Sequence, residues 1–269
     1  LLNKKIKLFV YGNDCWSGRI KKYQRFYSWI EAVYPPSTFT ADQLKAQGMP
    51  VHKVRLFPPL VEFSVPGKTK DLKGKKFVLL TVGRLSAQDQ FKGQDKVIEA
   101  LNLIASHIPN LEYWIVGKGE DRPRLEKLAK ESGVSSQIRF WGFVPAEELP
   151  DLYWNADVFI MPSEVSLLPA DPKGEGFGIV FVEAAAYRLP SIAPDRGGST
   201  DVVINNKNGI TVNPTEVKEI AQAILQYYQD EQLRIKMGDM AYLHCKENFS
   251  REKLPYYMES ITTGLGMIK

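Results

Sequence analysis

The sequence predicts an α/β protein: a doubly wound parallel sheet of about six strands, preceded by an incomplete second α/β lobe. Three observations carry that expectation. From Phe77 onward, short β-rich runs alternate with helical patterns punctuated by Gly or Pro, as stacked βαβ units require. The first run, Phe77-Val-Leu-Leu-Thr-Val82, is apolar almost throughout, as a strand covered on both faces should be. The residues before it hold too few elements for a complete α/β domain.

In chain order, Ile6–Tyr11 reads as a strand, Gly18–Ser28 as a helix and Trp29–Tyr34 as a second strand. Thr40-Ala-Asp-Gln43 has capping-box spacing and opens a short helix that Gly48 closes. Val54–Phe57 reads as a third strand. Pro58-Pro59, Pro66-Gly67 and the basic stretch Lys68–Lys76 read as a linker. Further strands are expected at Leu111–Val116, Ile138–Trp141, Val158–Met161, Ser191–Ala193 and Gly209–Val212. Helices are expected at Gln94–Ser106, Arg122–Ser132, Ala146–Asn155, Ile179–Tyr187, Glu216–Gln229 and Arg251–Met267. The implied division is a partial first lobe at 1–66, a linker at 67–76, a main lobe at 77–248 and a closing segment at 249–269. A Rossmann-like sheet binds its ligand outside the carboxyl ends of its strands. The residues after Val82, Val116, Trp141 and Met161 are therefore the ones to weigh.

Composition narrows the classes. With 44% hydrophobic and 25% charged residues the chain is globular, neither disordered nor fibrous. Its two cysteines, Cys15 and Cys245, form no C-x-x-C pair, which excludes a disulfide framework or thiolate zinc site and suits a reducing cytoplasm. No apolar run approaches the ~20 residues that span a bilayer, and the first residues lack a signal-peptide core. His52, His107 and His244 fall on unrelated elements and no Asp-x-Asp occurs, so no metal is expected. The net charge of +4 suits phosphate-bearing ligands or an anionic membrane without choosing between them. Arg19–Trp29 interleaves bases with aromatics. It is read as a lobe-packing helix with solvated lysines, and peripheral membrane contact is the alternative. No nucleic-acid reader motif accompanies these bases.

Two places carry chemistry. Phe77–Val82 runs into Gly83-Arg84-Leu85, and Lys92-Gly93 follows just before a helix. An arginine and a lysine at the carboxyl edge of a buried strand suit a diphosphate, the first as a donor fork and the second as a point charge; two solvated surface cations are the bland alternative. The second place is Gly174-Glu175-Gly176-Phe177-Gly178-Ile179 and the apolar helix it feeds. Backbone N–H groups at a helix N-terminus favour an anion, and glycines let it approach. Glu175 and Glu183 stand eight residues apart, about 12 Å of helical rise, too far to flank one glycosidic bond as a hydrolase pair does. They can hold opposite ends of an extended ligand instead, Glu175 toward a sugar and Glu183 toward ribose hydroxyls.

Taken in this order and spacing, Gly83-Arg84-Leu85, Lys92-Gly93, the Glu175-x7-Glu183 motif, Gly197-Gly198 and Asn208-Gly209 resemble the family-4 retaining GT-B glycosyltransferases over about residues 75–250. The resemblance implies two facing Rossmann-like lobes, the second holding a UDP- or GDP-linked sugar and the first most of the acceptor site. It implies that Arg84 and Lys92, with Gly83, bind the diphosphate, that Glu183 binds the ribose and that Glu175 contacts the donor sugar. Backbone groups of Gly176, Phe177, Gly178 and Ile179 complete the cradle. The base lies against Gly142-Phe143-Val144, with Gly117-Lys118-Gly119 close by. No resident cofactor is implied; the partners are a nucleotide-sugar donor and a saccharide or lipid-linked acceptor. Leu8–Trp16 resembles a late strand of the first lobe, and Arg251–Ile261 the helix crossing back to it. Tyr11 stands where the family often has histidine, and the connection Pro162–Gly174 is long, with Glu164, Pro169, Asp171 and Pro172.

The implied activity is transfer of a hexose to a hydroxyl with retention of configuration and without a metal. The rival reading is a donor-binding fragment that does not turn over alone. A nicotinamide dehydrogenase does not fit, because no G-x-G-x-x-G follows the first strand. The partial first lobe is expected to expose Ile6, Leu8, Val10, Phe26, Trp29 and Ile30 and to self-associate through residues 1–66.

Overall fold

The computed structural model describes residues 6–63 and 76–263. The first of these segments contains β1 (Ile6–Phe9) and β2 (Ile30–Tyr34), which pair in parallel, and then α1 (Thr38–Ala46). The second contains β3 (Phe77–Val82), α2 (Gln94–Ile104), β4 (Leu111–Val116), α3 (Arg122–Glu131), β5 (Ile138–Gly142), α4 (Leu149–Asn155) and β6 (Val158–Ile160). After the antiparallel hairpin β7 (Ser166–Leu168) and β8 (Asp171–Lys173) come α5 (Ile179–Ala186), β9 (Ser191–Pro194), β10 (Gly209–Val212), α6 (Val217–Gln229), α7 (Glu231–Phe249) and α8 (Leu254–Thr263).

The main sheet is wholly parallel, in the order β10-β9-β6-β3-β4-β5. Winding therefore starts at β3, runs outward to β5, and resumes from β6 toward the other edge. The direction reverses between β3 and β6, and the crevice outside their carboxyl ends is the ligand position of such a fold. Both faces of the sheet are covered. Leu79 and Tyr113 join Val97, Leu101 and Ile224 in one apolar layer; Val78 and Leu80 join Phe181, Val182 and Cys245 in the other. Each fully buried side chain of this size contributes about 1.5–3 kcal/mol, which explains the nearly continuous apolar run of β3.

The long α7 is not apparent from the sequence pattern. Its buried residues, Met237, Gly238, Ala241, Tyr242, Cys245 and Phe249, fall on one stripe, but charged residues crowd its first turns and Gly238 interrupts them. That glycine is needed: a Cβ there would stand 2.1 Å from the carbonyl oxygen of Arg188.

The first segment departs from expectation in three places. Residues Lys21–Trp29 form 3-10 turns, not an α-helix; aromatic side chains lose rotamer freedom against an α-helical turn, and Tyr23, Phe26, Tyr27 and Trp29 all fall in this stretch. Val54–Phe57 runs beside β2, with Arg55 N–H bonding Val33 O and Phe57 N–H bonding Pro35 O, but forms only the Val33–Val54 bridge and no strand, because Pro35 has no N–H to return the next ladder bond. The helix expected from a Thr40 capping box starts earlier: Ser37 is the N-cap, and its hydroxyl accepts from the Thr40 amide at 3.2 Å. In the main lobe α4 likewise starts at Leu149, later than Ala146. The expected linker lies, apart from Lys76, outside the described residues.

Of the apolar residues expected at the surface, Ile6, Leu8 and Trp29 are exposed, whereas Ile30 is buried against Trp16, Val33 and Leu44. Together with Tyr23, Phe26 and Met49 they line an apolar hollow of about 270 Å³. The two segments are stitched together. Ser37 Oγ donates to the Gly176 carbonyl at 2.7 Å, and the Thr38 amide donates to Asp201 Oδ2 at 2.7 Å, a carboxylate at the positive end of α1. Val61 bonds the backbone on both sides of Ser250. Among the described residues no helix is long and apolar enough to cross a membrane.

Candidate functional site

The crevice at the reversal point is framed by the loops that leave β3, β4 and β5. These loops are laced by backbone bonds: Gly83 N–H donates to Val116 O (2.9 Å), Leu85 N–H to Lys118 O (3.0 Å) and Gly117 N–H to Gly142 O (2.8 Å). Gly117 has φ +138°, and a Cβ on it would lie 1.8 Å from Gly83 O, so only glycine permits this approach.

Arg84 projects from the β3 loop, with 80% of its side chain exposed. A 3-10 turn, Ala87–Lys92, brings Lys92 back toward it. Between the two cations sits Asp89, whose side chain is 6% exposed. Its Oδ2 lies 3.2 Å from Arg84 Nε and accepts from Ser86 Oγ at 2.6 Å, and its Oδ1 lies 3.4 Å from Lys92 Nζ. Burial opposes ionisation of Asp89, but the Ser86 hydroxyl, Lys92 and Arg84 prevail and hold it below the usual carboxylate range. Glu175 closes the group, its Oε1 4.0 Å from Lys92 Nζ. Burial pushes the Glu175 carboxyl above the ordinary range; Lys92 pulls it back, and Asp89 pushes it further up.

The loop carrying Glu175 enters α5 through Gly178, which has φ +80° and supplies no side-chain cap. The first amides of α5 thus lack a side-chain acceptor at the positive end of a helix dipole, a setting that favours an anion. Ser199, fully buried, packs against Gly178, and its hydroxyl has no partner among the described residues. The Phe177 side chain does not face the crevice. It packs on Phe249, ring centroids 5.2 Å apart, leaving only its backbone for a ligand. Ile179 is partly exposed at the start of the helix.

Glu183, one turn further on, has a different partner: its Oε2 accepts from Tyr153 Oη at 2.8 Å. Burial first, and Glu183 second, hold the tyrosine hydroxyl protonated, so it acts as the donor. The two glutamates thus serve different neighbours. After β5, Phe143 is 69% exposed with Lys118 Nζ 5.2 Å from its ring centroid, and Val144 is partly buried beside it. This pair offers a ring face and a cation at the rim. The long connection after β6 folds as the β7–β8 hairpin, where Lys173 lies 3.7 Å from Glu164; Glu164 N–H bonds the Phe91 carbonyl at 2.7 Å, fixing the hairpin base beside Lys92.

Arg84, Lys92 and Glu175 are therefore brought together. Asp89, Tyr153 and Ser199 join the site without a sequence signal, because each is recognisable only by burial and by partners distant in the chain.

Replacing Glu175 by Gln is expected to raise the melting temperature of the ligand-free protein near neutral pH. A carboxyl whose folded pKa is raised keeps its proton in the folded state while the unfolded state releases it, so stability falls as pH rises through that window. Below the window both states are protonated and the variant should melt like wild type. Melting curves from about pH 4 to about 8 check this; a difference that does not vary with pH would contradict it.

The family model for glycosyl transferases group 1 matches residues 68–244. A GDP-mannose-dependent alpha-(1-6)-phosphatidylinositol monomannoside mannosyltransferase of Mycobacterium tuberculosis is 31% identical over 211 residues, covering 75% of this chain and 54% of that protein. The amylovoran biosynthesis glycosyltransferase AmsK of Erwinia amylovora is 27% identical, covering 78% of this chain and 51% of its own length. The chain thus spans about half the length of these curated relatives. Among solved structures, HepE of Anabaena in complex with UDP superposes with a TM-score of 0.84 at 18% identity, covering 97% of this chain and 73% of that one. At that identity the likeness speaks for the fold, which is that of the GT-B glycosyltransferases.

Proposed function

We propose that this chain, which belongs to the glycosyl transferases group 1 family, supplies the donor half of an enzyme that transfers a hexose from UDP or GDP to a hydroxyl of a saccharide or lipid-linked acceptor, with retention of configuration. The observation that carries this reading is the Arg84–Asp89–Lys92–Glu175 cluster at the reversal point of the sheet, beside the uncapped N-terminus of α5.

In this reading the diphosphate lies between the two cations and the α5 amides, the ribose hydroxyls reach Glu183, and the sugar lies toward Glu175. The C1–O bond to the diphosphate breaks, and its electron pair leaves with the phosphate. Arg84, Lys92 and the helix amides stabilise that charge without a divalent cation; fixed donors of this kind carry about 3–4 kcal/mol each in comparable sites. The acceptor oxygen bonds C1 from the face the phosphate leaves, and its proton passes to a phosphate oxygen.

Calorimetric titration with UDP, GDP and their sugars tests donor binding directly. If neither nucleotide binds, the reading fails; donor binding without transfer would favour a binding fragment. A finer check concerns Glu183. Glu183→Gln is expected to weaken the ribonucleotide about tenfold, the scale of one charged hydrogen bond, and to leave the 2′,3′-dideoxy analogue unchanged. Equal losses on both ligands would remove Glu183 from the ribose role.

A further inference from the structure

We propose that Asp89 is a positioning residue of the donor site, holding Arg84 and Lys92 in the geometry that receives a diphosphate. The inference rests on the donor-site reading above and adds a residue to it.

A carboxylate beside an anion-binding site is at first sight unfavourable, because it repels the ligand. Its surroundings explain why it is there. Arg84 is mostly exposed and its long side chain has many rotamers, whose freedom must be given up when a ligand binds. Asp89 removes much of that freedom in advance: Arg84 approaches it with Nε at 3.2 Å and Nη2 at 3.3 Å, the two-point contact that suits a guanidinium fork. The same carboxylate sits 3.4 Å from Lys92 Nζ. Without it, Lys92, whose nearest other anion is Glu175 at 4.0 Å, would be drawn toward the sugar side of the crevice.

Asp89 is itself held. It is buried, and Ser86 Oγ donates to its Oδ2 at 2.6 Å. The 3-10 turn fixes it five residues after Arg84 and three before Lys92. Three acceptor contacts from one rigid carboxylate therefore set the separation and orientation of an exposed cation, Arg84, and a largely buried one, Lys92. Preorganised charge of this kind spares reorganisation when the ligand arrives.

The sign of one substitution tests the proposal. Asp89→Asn removes a negative charge next to a polyanion, so electrostatics alone predicts tighter binding; a positioning role predicts weaker binding. Titration of the full chain with UDP, GDP and inorganic pyrophosphate should show about a tenfold loss for Asp89→Asn on each ligand the wild type binds, the scale of one charge-assisted hydrogen bond, and no loss on uridine or guanosine. The nucleosides separate positioning from a purely structural role, because a general defect of the fold would weaken uridine and guanosine along with the diphosphates. Should Asp89→Asn fail to show a cooperative melt, Ser86→Ala, which loosens the same carboxylate, should weaken the diphosphates about threefold. Unchanged or tighter diphosphate binding in the folded variant overturns the proposal. If Arg84→Ala is also silent, the donor-site reading itself falls; if Arg84→Ala weakens binding and Asp89→Asn does not, only the role of Asp89 falls.

Discussion

Gly117→Ala is expected to abolish nucleotide binding and to destabilise the fold by about 3 kcal/mol or more. The added methyl would meet Gly83 O at 1.8 Å and its carbonyl carbon at 2.8 Å. Both are backbone atoms, so no rotamer change relieves the overlap, and φ +138° is itself strained for any residue with a Cβ. The β3 and β4 loops must separate, breaking the bonds from Gly83 to Val116 and from Leu85 to Lys118 and displacing Arg84. Gly133 is the control. It also has positive φ, +72°, but a Cβ there meets nothing within 4 Å, so Gly133→Ala should cost only about 1 kcal/mol. Urea denaturation of the two variants decides the matter. Equal stabilities would show that the close approach at Gly117 is not what holds these loops.

Removing the cations should have the next largest effect. Arg84→Ala and Lys92→Ala are each expected to weaken diphosphate binding by about 1.5–3 kcal/mol, with the nucleoside nearly indifferent. The double variant should lose less than the sum, because the two side chains share Asp89 and are not independent. Their effects on stability should differ. Arg84 is mostly exposed, and its loss should be almost neutral in the absence of ligand. Lys92 is 12% exposed between two carboxylates, and its loss leaves them without their shared counter-charge, which destabilises a buried cluster. Titration and thermal melts separate the two. Wild-type affinity in both variants would move the diphosphate elsewhere.

Much of this was legible in the sequence because burial writes itself into composition. Phe77–Val82 and Leu111–Val116 can be bounded to the residue, since strands covered on both faces tolerate few polar residues. The alternation of strands and helices gives the doubly wound class. The position of the reversal was harder to fix: β6 is only three residues long and is recognised by its neighbours β3 and β9. The first segment was least legible, because its aromatic and basic residues fit a helix, a strand edge or a turn almost equally well. Asp89 was hidden for a different reason. In Ser86-Ala-Gln-Asp89-Gln it reads as a solvated turn residue, and only three-dimensional burial shows it shared by two cations. Tyr153, thirty residues before its partner Glu183, left no local trace at all.

The bonds between α1 and the donor loop also set a timetable for synthesis. Ser37 and its acceptor Gly176 are 139 residues apart, and Thr38 and Asp201 163 apart. At ordinary ribosomal speeds of about 5–20 residues per second, α1 waits on the order of ten seconds for its acceptors to be made. During that interval Asp201 is absent from the N-terminus of α1, while β3 and β4, close in sequence, can already pair. The bonds that tie α1 to the donor loop therefore form only after residue 201 has been made, later than the pairing of β3 with β4.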